Sequence, residues 1–283
     1  MAGFFGLFDF TKEGPGVKKN EKKKKGFFAF FEIYFRNFWS FVKIGPVYWL
    51  CSALFVTNGL AKVGITHVAR SIQREKHSFI FSDFFESIKK NWKQGLILGT
   101  INVVAGFIFA LDLWYFWGYV SNEFSAFAVI GLALAFFLII SLTFMKYYIW
   151  TMVITFTLSL KQLVKNSFHF VFINFGKNLL ISLVMGAIYV SLYFMASTNG
   201  LLFVLAAIIL IFVVPGFKSS LIQALTFPSI KKYIIDPYYA EHKGEDIEKR
   251  LALGLEIPED EMPKEDTQEQ TEGVFSDNIV NNK

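Results

Sequence analysis

The sequence predicts an all-α fold, a polytopic transmembrane bundle of about six helices, five in the alternative count, with two cytoplasmic interfacial amphipathic helices. Three observations carry this. Hydrophobic residues make up 54% of the 283-residue chain and 35 residues are phenylalanine, more apolar surface than a solvated exterior has use for. Apolar tracts recur at residues 27–55, 95–117, 124–150, 178–196 and 201–222, and a helix needs about 20 such residues to cross the hydrocarbon layer. The connections between them alternate between strongly basic and free of Lys and Arg, the sorting that the positive-inside rule produces. Helices are expected rather than strands, because in lipid each segment satisfies its own backbone polar groups and these runs are too long for strands.

Charge divides the chain as well. Residues 1–240 carry 23 basic and 10 acidic side chains, whereas residues 241–283 carry 5 and 13. The cations flank apolar segments instead of gathering on one soluble face, so no nucleic-acid partner is expected. Three regions follow: a basic cytoplasmic segment over 1–26, a membrane domain over 27–240, and an acidic tail over 241–283 read as disordered and cytoplasmic. Cys51 is the only cysteine and sits in an apolar tract, so it reads as a small core hydrophobe with no disulfide or thiolate metal site.

Along the chain, Lys18, Lys19, Lys22, Lys23, Lys24 and Lys25 precede the first tract. A basic run in that position orients the helix and meets anionic headgroups. From residue 27 to 41 the apolar residues follow helical spacing, with Glu32 and Arg36 four apart in the favourable order. Gly45-Pro46 is expected to kink this helix. Residues 56–59 read as a turn, and residues 60–73 resume a helix whose apolar character is marginal because it holds Lys62, His67 and Arg70. Parity decides its place: if it crosses, the segments 12–25, 74–93, 161–177 and 231 onward all fall on one face. The opposite face then has 55–58, 118–123 and 197–200, with no Lys or Arg. Both termini are thereby predicted cytoplasmic.

Two basic loops each hold an amphipathic stretch. In the first, Asp83 and Glu86 form a capping-box-like start, and Phe84, Phe85, Ile88 and Trp92 oppose Lys89, Lys90 and Lys93. In the second, Ser159 with Gln162 opens a helix whose apolar side alternates with Lys161 and Lys165. Both are expected to lie on the anionic cytoplasmic leaflet. Ile88-Lys89-Lys90-Asn91 and Leu163-Val164-Lys165-Asn166 share a pattern, a weak hint of an internal repeat.

Ionisable residues within membrane tracts are functional candidates because each is costly unless paired or hydrated. Asp112 lies beside Trp114, Tyr115 and Trp117, an aromatic interfacial belt in which a hydrated carboxylate does little. In the sharper reading it faces a polar cavity with Lys62, His67 and Asn58. Gly95, Gly99, Asn102 and Gly106 share one helix face, and Ser182 with Gly186 repeats the small-residue spacing. Such faces serve close helix packing, within the bundle or in a homo-oligomer. Lys43, Arg70 and Lys146 are read as snorkelling toward the interface. No nucleotide loop, metalloprotease or nucleophile-elbow motif is present, so no catalytic residue, cofactor or metal is assigned.

Trp49-Leu50-Cys51, Phe55-Val56-Thr57-Asn58-Gly59, Arg74-Glu75-Lys76 and the run from Phe81 through Gly95 together resemble the YesL-like family of bacterial integral membrane proteins, a domain of unknown function. Leu158 to Asn166 and Lys231 to Tyr239 are similar too, while Ala53-Leu54 departs from the proline the family often carries there. The resemblance implies a Gram-positive plasma-membrane protein linked to carbohydrate uptake. The expectation is therefore a non-enzymatic accessory factor, with a sugar ABC permease or a membrane sensor as partner. A small secondary transporter using an intramembrane carboxylate is the first alternative, and a membrane scaffold or envelope-stress factor the second.

Overall fold

The computed structural model describes residues 27–76, 78–122 and 125–241, and among these every regular element is helical. The lysines of the N-terminal run, His77 and the acidic tail beyond Glu241 lie outside the described residues. In order, the helices are α1 (Phe27–Arg36), α2 (Phe38–Ser52), α3 (Asn58–Gln73), α4 (Ile80–Asn122), α5 (Ala126–Thr155), α6 (Leu160–Ile173), α7 (Phe175–Thr198), α8 (Gly200–Ile208) and α9 (Val214–Ile230). A second compact unit begins at Lys231, where a π-helical turn (Lys231–Ile235) leads into α10 (Asp236–Glu241).

Among the described residues, four stretches are long and apolar enough to cross a membrane: Ile80–Ser121, Ala126–Thr155, Phe175–Thr198 and Gly200–Tyr239. Their apolar side chains face outward in numbers no aqueous surface tolerates, with Phe107, Trp114, Phe127, Ile130, Leu183 and Tyr193 among the exposed. These helices mark the chain as membrane-embedded. The other two expected crossings, α2 and α3, have 15 and 16 residues, or about 23–24 Å at 1.5 Å per residue, short of a hydrocarbon layer of about 30 Å.

The least apolar of these helices is the most enclosed. Gly59, Ala61, Val63, Gly64, Ile65, Thr66, Val68, Ala69, Arg70 and Ile72 of α3 are all buried, because α1, α2, α4, α5 and α9 pack around it. Small residues permit the approach. A Cβ at Gly59 would stand 2.0 Å from the Gly95 carbonyl oxygen and 2.6 Å from the Gly99 Cα, and one at Gly64 would meet the Phe84 ring at 2.6 Å. The marginal hydropathy of α3 thus reflects protein neighbours in place of lipid. Its end is a Schellman motif: Glu75 N–H bonds the Ile72 carbonyl at 2.9 Å and Lys76 N–H the Ser71 carbonyl at 3.1 Å. Glu75 takes the left-handed position (φ 53°) usually given to glycine. Arg36 reaches the Glu75 carboxylate at 2.5 Å, which ties the end of α1 to this turn.

Three junctions share one device. Asn37, Asn91 and Asn174 have φ/ψ of −108°/20°, −116°/20° and −116°/32°, and each is followed by an aromatic residue that opens the next helix. Asn37 and Asn91 also bond back with their side-chain amides to the carbonyls of Ile33 and Ser87, at 2.9 and 3.0 Å. The first breaks the expected continuous helix into α1 and α2, and the second bends α4 between its basic and apolar parts. Asn166, which the shared sequence pattern pairs with Asn91, lies within α6 and forms no such junction.

Local signals fare unevenly. Ser159 and Gln162 form the capping box that their spacing indicates. Asp83 is no N-cap, because α4 starts at Ile80 and Asp83 accepts a hydrogen bond from the Ser78 hydroxyl at 2.7 Å. The helix runs through Pro46 without a break. Pro215 lacks the N–H that would bond the Ile211 carbonyl, and just upstream the chain widens into a π-helical turn, Ile209–Val213. Trp49 Nε1 donates to the Leu210 carbonyl at 3.2 Å there, and the backbone of Gly45 fits against Ile211 and Phe212.

Asn178 locks the other side of the bundle. It is fully buried, accepts from the Tyr148 hydroxyl at 2.7 Å, and donates to the carbonyls of Phe170 and Val171 at 3.1 and 3.2 Å. Asn178→Ala leaves these partners unpaired in the interior. It is expected to lower stability by about 2–3 kcal/mol, measured as thermal unfolding in detergent, whereas Asn166→Ala should melt with the parent protein.

Candidate functional site

A cavity of about 450 Å³ opens between α2, α3, α5, α7 and α9, within the size range of small-molecule sites. Helical spacing builds it. Asn58, Lys62 and Thr66 recur every four residues on α3 and so share one face. From α5 come Thr143, Lys146, Tyr147, Trp150 and Thr151, and from α9 Lys218, Ser219, Ile222 and Gln223. Tyr48 and Trp49 of α2 and Tyr189 of α7 complete an aromatic wall.

Its electrostatics are one-sided. Lys62, Lys146 and Lys218 all line the cavity, near enough to repel one another, and no carboxylate lines it. Lys62 stands over the Trp150 ring at 5.5 Å and Lys218 over the Tyr189 ring at 5.9 Å. These cation–π contacts hold the ammonium groups without neutralising them. Three further polar atoms are buried here with no hydrogen-bond partner: Asn58 Oδ1, Trp150 Nε1 and Gln223 Oε1. Trp150 Nε1 is a donor, so it adds to the positive lining. Gln223 Nε2 donates to Thr151 Oγ1 at 2.7 Å, which fixes the amide at the cavity floor.

Below that floor lies a second cavity of about 310 Å³, where Phe30 and Ile33 of α1 meet Arg70 and Gln73 of α3, the following Arg74, and Gln223 again. Arg70 bonds the Thr155 hydroxyl and, at 3.4 Å, the Ile154 carbonyl of α5. Gln73 bonds Ser220 at 2.5 Å. Arg74 stands over the Phe227 ring at 5.5 Å and keeps Nη2 without a hydrogen-bond partner.

The residues singled out in the sequence separate. Lys62 and Asn58 line the larger cavity. Asp112 does not: it is half-exposed on α4, and no ion pair joins it to Lys62. His67, on another face of α3, has Asp83, Glu86 and Lys90 of α4 as its electrostatic neighbours, along with Arg70. Gly95 and Gly99 meet Gly59, open space surrounds Gly106 and Gly186, Asn102 is half-buried, and Ser182 shares a 2.8 Å hydrogen bond with the Tyr147 hydroxyl. Lys89, Lys90, Lys93, Lys161 and Lys165 are exposed. Lys146 lines the cavity alongside Lys62. The criterion that picks out Lys62 also covers Lys218, an isolated cation in an apolar tract, which the sequence reading passes over. Trp150 and Gln223 carry no such signal. Among the described residues no group of three His, Cys, Asp or Glu side chains gathers at metal-holding distance.

Residues 47–113 match the family described as "Protein of unknown function, DUF624". That stretch runs from α2 through α3 into the apolar half of α4, so it contains Lys62 and Asn58 but neither Lys146 nor Lys218. No curated protein and no solved structure matches the chain.

Proposed function

We propose that this chain is a non-enzymatic membrane protein that binds an anionic small molecule between its helices, and that the larger cavity is the binding site. The observation that carries the reading is three lysines on three helices converging on one cavity with no acid among its lining. Uncompensated cations in a low-dielectric interior are costly, and a guest with two or more negative charges removes that cost. The unpartnered Trp150 N–H adds a donor, and the tyrosines and tryptophans offer flat apolar surface to a guest with an organic body.

The setting we propose is the plasma membrane, with α2 and α3 as a helical hairpin enclosed by the four long helices, six in all. The charge sorting supports both termini on the cytoplasmic side. Exposed Lys89, Lys90, Lys161 and Lys165 support the basic part of α4 and all of α6 lying on the anionic leaflet. The finer kinship with YesL-like proteins, and an accessory role beside a sugar ABC permease or a membrane sensor, rest on the resemblance of residues 49–95.

Purified full-length protein in detergent, titrated with citrate, phenyl phosphate and acetate while tryptophan fluorescence is followed, tests the binding reading. Trp49 and Trp150 in the cavity wall should report it. Citrate and phenyl phosphate are expected to bind at least about tenfold more tightly than acetate, with affinity falling as salt rises. No saturable response to either multivalent anion sinks the proposal.

A further inference from the structure

The two cavities share one wall residue. Gln223 lines both, held by its amide against Thr151, and its Oε1 has no hydrogen-bond partner. On either side of it α3 and its C-cap present one continuous polar stripe: Lys62 and Thr66 above, Arg70 and Arg74 below, each four residues from the last. Lys62 and Arg74 are twelve positions apart, about 18 Å at helical rise and more than half the hydrocarbon thickness. Neither cavity is lined by a carboxylate. A binding pocket needs no second cationic chamber behind its floor, and Arg74, half-buried at the end of α3 with its Nη2 lacking a hydrogen-bond partner, serves nothing in the larger cavity.

We propose that the two cavities are successive stations of an anion path along α3, with the Gln223–Thr151 hydrogen bond as the partition between them, so that the protein moves its anion across the bilayer. This rests on the reading of the larger cavity as an anion site. The cations are graded along the path. In the upper station three lysines hold the anion as point charges. In the lower one, guanidinium groups offer planar, bidentate donors to the same carboxylate or phosphate oxygens. Two sites of like chemistry in series let an anion leave the first without meeting an apolar barrier, the condition for passage as opposed to capture. At the partition, rotation of one side chain suffices, because Gln223 is tied by a single bond and its carbonyl oxygen has no partner to lose.

The test uses full-length protein in liposomes loaded with radiolabelled citrate or phenyl phosphate and diluted into anion-free buffer. Wild-type vesicles are expected to release label at least about tenfold faster than protein-free vesicles. Arg74→Gln is expected to slow release about tenfold while leaving binding in the fluorescence titration within about twofold, since Arg74 does not line the upper cavity; Arg74→Lys should restore part of the rate. Gln223→Ala opens the partition and should speed release. Should Arg74→Gln fail to accumulate, Ala224→Leu, which fills the lower cavity without touching its charges, is expected to slow release in the same way. Normal binding with release no faster than from empty vesicles overturns the path and leaves the binding site standing. Unchanged release from Arg74→Gln or Ala224→Leu likewise overturns it. Absence of binding removes the site itself, and the path with it.

Discussion

Gly59→Ala is expected to cost about 3 kcal/mol of stability or more. The new Cβ would lie 2.0 Å from the Gly95 carbonyl oxygen and 2.6 Å from the Gly99 Cα. These are backbone atoms of α4, so no rotamer change relieves them and the two helices have to part. Overpacking with backbone movement costs about 1–3 kcal/mol and sometimes more. The loss runs against the ordinary gain of Gly→Ala in a helix, about 0.5–1 kcal/mol, and that opposition makes the test sharp. Gly106 is flanked by open space, so Gly106→Ala should melt at or slightly above the parent temperature. Thermal unfolding of both variants in one detergent decides it. A Gly59→Ala protein that melts with the parent would mean that α3 and α4 do not touch at this point.

Lys62→Met is expected to act in opposite directions on binding and on stability. Removing one of three converging ammonium groups should weaken citrate binding about 100-fold, near the 3 kcal/mol typical of losing one partner from a buried charged contact. The empty protein should gain roughly 1–3 kcal/mol, because Lys62 is repelled by Lys146 and Lys218 and has no anion to answer it. Methionine keeps the packing over Trp150. A lysine that merely snorkels to water predicts neither change, and one that packs structurally predicts lost stability. Fluorescence titration together with thermal unfolding separates the three cases. Tighter binding, or lower stability in the empty protein, rules out the tri-lysine site.

The helices and their membrane setting were legible because hydropathy and flanking charge are local properties, carried by runs such as 126–155 that need no partner to be recognised. Ser159 with Gln162 was legible for the same reason, since a capping box is contained in four residues. Asp83 misled because Ile80 and Phe81 extend the helix upstream, and nothing near Asp83 forbids that. The three asparagine elbows were written in plain view as Asn followed by Phe or Trp. Their backbone geometry has no propensity signal strong enough to mark them. The cavity was beyond local reading: residues 62, 146 and 218 meet only because α3, α5 and α9 pack together. Asp112 attracted notice as a lone acid in an apolar tract, yet it sits away from the cavity, on the longest helix. The same rule applied to basic residues leads to Lys218.

The enclosure of α3 bears on how the protein is made. A helix carrying Lys62, His67 and Arg70 partitions poorly into lipid by itself, since each charged residue near the bilayer centre costs roughly 2.5–3.5 kcal/mol during insertion. The helices that shelter it include α9, which emerges from the ribosome some 150 residues later. Synthesis therefore runs ahead of assembly: α3 is made well before the last of the helices that enclose it. A chain that stops before α9 keeps the α5 contacts of Lys62 and Arg70 but lacks the wall that carries Lys218 and Gln223. The final third of the protein is in this sense the chaperone of its first.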